Sequence, residues 1–329
     1  MVDIALRHDA SASPATARLR RYRAQDRMFF RLTLACALLV LAVFAGVITS
    51  LTVGAWPAIK AFGLPFLWTE AWNPVTEKFG ALAPIYGTVV TSLIAMFFAV
   101  PIGIGIAIFL TELCPRPLRR PIGIAVELLA GIPSIIYGIW GLFIMVPFLQ
   151  QIVMPGLIYA FSGIPVLRDL FAGPPYGIGI FTAGLILAVM TLPFISAITR
   201  DVFETVPPVL KEAAYGLGAT TWEVQWNVVL PYARTGVVGG VMLALGRALG
   251  ETMAVTFVIG NAHRISESLL APGTTISASI ANEFTEALGD LYAPALIELG
   301  LILFFVTVIV LAAARLMLYR LERRAGGRT

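Results

Sequence analysis

Six stretches of this chain stay apolar for about twenty residues or more, while its polar residues gather in short clusters between them. The stretches run over residues 32–53, 86–111, 122–149, 176–199, 235–260 and 294–318. A hydrocarbon core about 30 Å thick is crossed by a helix of about 20 apolar residues, so the pattern predicts six membrane-spanning helices and an all-α, polytopic fold. Composition agrees: 58% of residues are hydrophobic and 13% are charged, about half the charged share of an average soluble domain. The first stretch follows Arg18, Arg20, Arg21, Arg23, Arg27 and Arg31 without a small-residue cleavage site, which reads as an anchor and not a removable signal.

Basic residues set the orientation. With the N-terminus inside, the inner segments carry 18 of the 23 Lys and Arg, and the outer ones only Lys60, Lys78, Arg168 and Arg264. This is the positive-inside pattern, and it predicts that both termini are cytoplasmic. The basic pI then reflects topology and contact with anionic membrane lipid; no basic-aromatic surface points to nucleic acid. Cys36 and Cys114 fit no disulfide or metal-ligand spacing, and His8 and His263 are too isolated to suggest a metal.

The same orientation puts residues 201–234 inside. Pro207 and Pro208 suit the start of a short helix, Gly216 and Gly218 permit its end, and Thr220 with Glu223 has capping-box spacing for a second. Trp222 and Trp226 fall one turn apart on one face. The small residues Ala213, Ala214 and Gly218 would let the first helix enter a groove closely, with Glu212 as a rim charge; the bland alternative is an amphipathic helix resting on the membrane face.

No Gly-x4-Gly-Lys-[Ser/Thr] loop occurs, nor a Gly-x-Ser-x-Gly elbow or a His-Glu-x-x-His pair, so ATP hydrolysis through a P-loop and the corresponding hydrolase chemistries are excluded for this chain.

Arg247 lies 12 positions beyond Thr235, about 18 Å along a helix and near the bilayer midplane. A charge there costs about 2.5 to 3.5 kcal/mol on insertion scales and calls for a partner or a polar cavity. Glu251, four positions on, is expected on the same helix face as an ion-pair partner. A guanidinium fork suits two oxygens of a tetrahedral oxyanion, and a neighbouring carboxylate could reclaim it after transfer; the alternative is a permanent structural pair. Gly236 with Gly240 and Gly246 with Gly250 form two small-x3-small steps for a close helix neighbour, in this chain or another. Gly131 and Pro133 interrupt the third stretch. They read as a proline kink or, with Ser134 as a donor, as a hinge in a pathway wall. Glu127 and Glu298, near helix interiors, are expected to pair or to face a polar cleft. Residues 276–284 suggest a short interfacial helix in the outer segment, and Trp56, Trp68 and Trp72 suggest interface anchors.

Residues 212–231, Glu-Ala-Ala-x3-Gly-x9-Val-x-Leu-Pro, resemble the cytoplasmic loop of ABC importer permeases, with Val228 where Ile is usual. The Gly239–Asn261 run with its Gly-Arg-Ala-Leu-Gly-Glu-Thr-Met-Ala-Val-Thr core, the Tyr215–Trp222 segment and the Leu128–Gly141 segment are similar to the PstC-type permeases of phosphate ABC importers. The resemblance covers about Pro84 to the last helix. It implies a type I importer permease fold in the bacterial inner membrane, with a basic segment over 1–31, a first helix and outer loop over 32–83, a core over 84–318 and a tail over 319–329. It also implies that Glu212, Ala213, Ala214, Gly218, Leu230 and Pro231 engage a separate ATPase dimer (PstB-like) that carries ATP and Mg, this chain binding no cofactor itself. Arg247, Glu251, Thr252 and Ser134 would line the substrate route. Further implied partners are a second permease (PstA-like) and an extracytoplasmic phosphate-binding protein (PstS-like). The rival readings are a permease for another oxyanion, such as sulfate or molybdate, and a gradient-driven secondary transporter.

Overall fold

The structure, a computed structural model, describes residues 14–326; Arg7, His8 and Arg328 lie outside them. Helices follow one another with no strand among the described residues, only an isolated pairing of Asn73 with Lys78. In chain order they are α1 (Pro14–Phe62), α2 (Leu82–Leu113), α3 (Arg116–Ala130), α4 (Ser134–Phe161), α5 (Pro165–Leu170), α6 (Ile180–Glu204), α7 (Pro208–Gly216), α8 (Thr221–Leu249), α9 (Met253–Ile259), α10 (Ile276–Glu283) and α11 (Tyr292–Gly326). Six are long and apolar enough to cross a membrane: Gln25–Phe62 of α1, then α2, α4, α6, α8, and Tyr292–Met317 of α11. The chain divides into two compact units, Met1–Val53 and Gly54–Thr329.

Two expected spans are displaced. The third was expected over 122–149, but α3 is a separate helix carrying Arg116, Arg119, Arg120 and Glu127, and the span itself begins at Ser134, beyond the break. Proline at 133 has no N–H to continue the ladder and its ring crowds the preceding turn, so the chain breaks fully here instead of kinking. The fifth was expected over 235–260. Its helix starts fourteen residues earlier, at Thr221 just after the Thr220 cap, and stops at Leu249; α9 follows after Gly250–Thr252 and is closed by Gly260 at φ +93°. A hydropathy window sees neither the polar first turn nor a three-residue gap between apolar helices.

α6 is the central element. Of its most apolar window 72% is buried, against 22–28% for α2, α4, α8 and α11. Ala183, Ile186, Leu187, Met190 and Ile195 of α6 form one core with Ala95 and Ala99 of α2, Ala244 of α8 and Val255 of α9. Small residues set the spacing. A Cβ at Gly236 or Gly240 would come within 2.6 Å of Val202 or Ile198 of α6, and one at Gly246 within 3.5 Å of Leu311 of α11. These glycines therefore face helices of this same chain.

A second cluster joins Phe66 and Phe79 to Ile276 of α10 and to Ala295, Leu296 and Leu299 of α11. The segment expected to lie at the interface as a short helix is instead inserted: Ile276, Ser277, Ala278 and Ser279 of α10 are buried, and Thr88 of α2 accepts a hydrogen bond from the Ile276 N–H at 3.0 Å. Trp72 is likewise not a lipid anchor. It stacks on His263 with ring centroids 4.7 Å apart and donates to Glu283 at 2.7 Å, whereas Trp56 and Trp68 are exposed.

Candidate functional site

Residues 201–234 form two helical pieces around a glycine bend, as the sequence predicts. α7 starts at Pro208, none of its residues is buried, and Gly218 turns the chain at φ +85°. The capping box is complete: the Thr220 N–H donates to Glu223 Oε2 at 2.8 Å and the Glu223 N–H to Thr220 Oγ1 at 3.3 Å. Trp222 and Trp226 stack with centroids 5.4 Å apart, both exposed. The second piece is not an independent short helix, however, because it runs through a wide turn at Gln225–Val229 directly into the rest of α8.

This segment is packed onto the rest of the fold. Phe203, Val206, Val224, Val229, Ala233 and Ala107 form a small core beneath it, against which Ala214 and Leu230 pack. Lys211 of α7 meets Glu112 at the end of α2 at 2.6 Å, with side chains only 20% and 13% exposed. The two residues lie 99 positions apart, so no local pattern foretells the pair. On the free side α7 presents Glu212 and Ala213, with Val209 and Leu217 70% and 90% exposed, and Pro231 is exposed at the start of the following turn. Small and apolar groups held out on a braced helix are what a groove on another protein can take.

The residues expected to line a substrate route gather around two helix breaks. Gly131–Pro133 separates α3 from α4, whose first residue is Ser134, and Gly250–Thr252 separates α8 from α9. These breaks lie on adjacent elements: a Cβ at Gly138, one turn into α4, would sit 3.0 Å from the Met253 carbonyl oxygen and 3.2 Å from Ala254 Cα, in the first turn of α9. Glycine at 138 thus gives α4 and the first turn of α9 room to pack this closely.

Arg247 is exposed in the last turn of α8. The expected ion pair with Glu251 is absent: neither residue makes an ion pair among the described residues. The physical reason is the helix end at Leu249, which removes Glu251 from the face that a continuous helix would give it. Glu251 instead accepts from the Ala254 N–H at 3.4 Å, a contact at the opening turn of α9. Thr252 sits at the cap of α9, its carbonyl accepting from the Thr256 N–H at 3.0 Å.

Of the two carboxylates expected near helix interiors, Glu127 is exposed and pairs with Arg200 at 2.6 Å, while Glu298 is buried, its Oε2 with no hydrogen-bond partner among the described residues. Glu283 is the hub of a cluster the sequence does not reveal: His263 meets Oε1 at 2.6 Å, and Trp72 and Tyr292 each donate to Oε2 at 2.7 Å. Burial, the largest single influence, pushes its pKa up, but the His263, Tyr292 and Trp72 hydrogen bonds and the charge of His263 together hold it below the ordinary carboxylate range.

Comparison with known proteins bears on these features. Residues 99–326 match the family model described as "Binding-protein-dependent transport system inner membrane component". The phosphate transport system permease protein PstC of Mesorhizobium japonicum is 68% identical over 317 residues, 96% of this chain and 97% of that protein. Its counterpart in Pasteurella multocida is 59% identical over 301 residues, 92% of this chain and 94% of that protein. Among solved structures, the bacterial alginate ABC transporter in complex with alginate pentasaccharide-bound periplasmic protein superposes with a TM-score of 0.60 at 20% identity, over 90% of this chain and 97% of that one. The inward-facing MetNI methionine ABC transporter gives 0.54 at 20% identity, over 72% and 94%. At such identities these two likenesses speak for the fold alone.

Proposed function

The chain belongs to the family of binding-protein-dependent transport system inner membrane components, and from that membership we propose that it is the membrane permease of an ATP-driven phosphate importer. The observation that carries this reading is the 68% identity, across nearly the full length of both chains, with a curated phosphate permease. The relatives' names favour phosphate over the sulfate or molybdate alternative. The protein is a multi-pass membrane component and not itself the ATPase.

In this reading α7 is the knob that a separate ATPase dimer grips. Its lack of buried residues and its bracing through Lys211 and Glu112 support that role. Both termini face the cytoplasm, a second permease completes the pathway, and an extracytoplasmic phosphate-binding protein delivers the anion. Arg247, exposed beside the break at Gly250–Thr252, offers phosphate a planar pair of donors. Ser134, at the opening turn of α4, lies on the neighbouring broken helix. Glu251 and Thr252 set the start of α9 and hence the shape of that break.

Phosphate uptake by the reconstituted complex tests the proposal. Glu212→Lys is expected to abolish stimulation of the ATPase, and Arg247→Gln to abolish anion passage while assembly persists. Full-rate phosphate passage with no ATPase present refutes it.

A further inference from the structure

At the end of α6 from which the segment carrying α7 departs, three arginines of α3 line a cleft with a fourth, from α6. Arg116, Arg119 and Arg120 line a cleft of about 300 Å³ together with Arg200 and Glu204 of α6. Bulk water occupies about 30 Å³ per molecule, so the space takes a tetrahedral oxyanion with several waters.

The cleft is built around Arg200. Glu127 holds its Nη1 at 2.6 Å and Asp201 its Nη2 at 3.0 Å. Gly123 leaves the room: a Cβ there would lie 3.1 Å from Nη1. With Arg200 neutralised in this way, Arg116, Arg119 and Arg120 face the same space with no ion-pair partner among the described residues. The lining carries four cations against the carboxylates of Glu127 and Glu204. Like charges brought together in an open cleft raise the local potential and favour an anion between them. Guanidinium forks recognise phosphate oxygens two at a time.

We propose that this cleft is a second anion site, distinct from the Arg247 region, and that it binds a phosphate group. Two sources supply that chemistry: inorganic phosphate leaving the pathway, and the headgroup of an anionic phospholipid, for which exposed Ile124 and Leu128 of α3 provide adjoining apolar surface. The first source rests on the importer reading; the second requires only that the protein span a membrane.

The test uses the full complex in phosphatidylcholine nanodiscs, without ATP or binding protein, in an Arg247→Gln background so that binding there does not mask the cleft. Inorganic phosphate is followed by 31P saturation-transfer NMR, and retention of added phosphatidylglycerol by native mass spectrometry. Arg119→Gln with Arg120→Gln is expected to weaken the ligand about tenfold or more, the scale of one or two lost charge-assisted hydrogen bonds. Arg119→Lys with Arg120→Lys keeps charge without the fork and is expected to fall between. Arg116→Gln alone serves if the double variant does not assemble. A phosphate signal that follows these changes identifies the free ion, and phosphatidylglycerol retention that follows them identifies the lipid. Binding of neither, or binding indifferent to all three arginines, overturns the proposal. Uptake by the unmodified complex is scored separately, so failure of the importer reading does not alter the binding result.

Discussion

The Tyr137 hydroxyl donates to the Leu129 carbonyl at 2.7 Å across the break between α3 and α4. Leu129 lies four residues before Pro133, which has no N–H to return to it, and the Ile132 N–H reaches it only at 3.3 Å. A side chain from the next helix thus supplies the donor that proline removes. Tyr137→Phe is expected to cost about 1 kcal/mol of stability, the net worth of one such bond. Thermal unfolding in detergent measures it, and an unchanged midpoint counts against the role.

The Thr220–Glu223 box fixes where α8 begins. Thr220→Ala is expected to destabilise the first turn by about 1 kcal/mol. Faster amide exchange confined to residues 221–225 is the expected signature, with the membrane portion of α8 unaffected.

Lys211 and Glu112 tie α7 to the end of α2 in a mostly buried pair. Lys211→Met should cost roughly 1 to 3 kcal/mol, between the exposed and buried limits for ion pairs. A double-mutant cycle with Glu112→Gln measures the coupling. If α7 transmits force, the single variants also reduce ATPase-driven uptake more than they reduce assembly.

Two glycines of α2 should behave oppositely. A Cβ at Gly87 would sit 1.8 Å from the Thr274 carbonyl oxygen, whereas Gly105 has nothing within 4 Å. Gly87→Ala is expected to prevent stable accumulation in the membrane and Gly105→Ala to be tolerated, as judged by folded yield.

The depressed pKa of Glu283 predicts an acid-side loss of stability. Its stabilisation is fully present above the unfolded carboxylate value of about 4.3 and is lost as the pH falls through the lower folded value. Glu283→Gln should flatten this part of the pH–stability curve. His263→Gln should move the acid transition upward by removing the contacts that hold the pKa low.

Much of this architecture is legible in the residues themselves. Six long apolar runs fix the number of spans because the bilayer sets their length, and Thr220, Glu223 and the nearby glycines fix the two-piece form of residues 201–234 because caps and bends are local chemistry. Less legible is whatever depends on distant partners. Glu251 counts as a neighbour of Arg247 only if the helix continues past Leu249, and it does not. Trp72 resembles an interface anchor until His263 and Glu283, far along the chain, take both its face and its N–H. The glycines at 236 and 240 announce a close neighbour without naming it; the neighbour is α6. At the candidate site, Gly131 and Pro133 announce the first break, but the second, at Gly250–Thr252, lies inside a run that reads as one continuous helix, and the adjacency of the two, made through Gly138, has no local signal.

Since α8 runs unbroken over 29 residues from Trp222's turn to Leu249, it forms a strut about 43 Å long. In the proposed coupling, a tug on the tryptophan end would have little slack to be absorbed in and would arrive at the break after Leu249 and the guanidinium just before it. If the proposed importer reading holds, one piece of backbone joins the ATPase side to the proposed anion-binding arginine, and any residue that softens this strut should desynchronise the two ends without touching either.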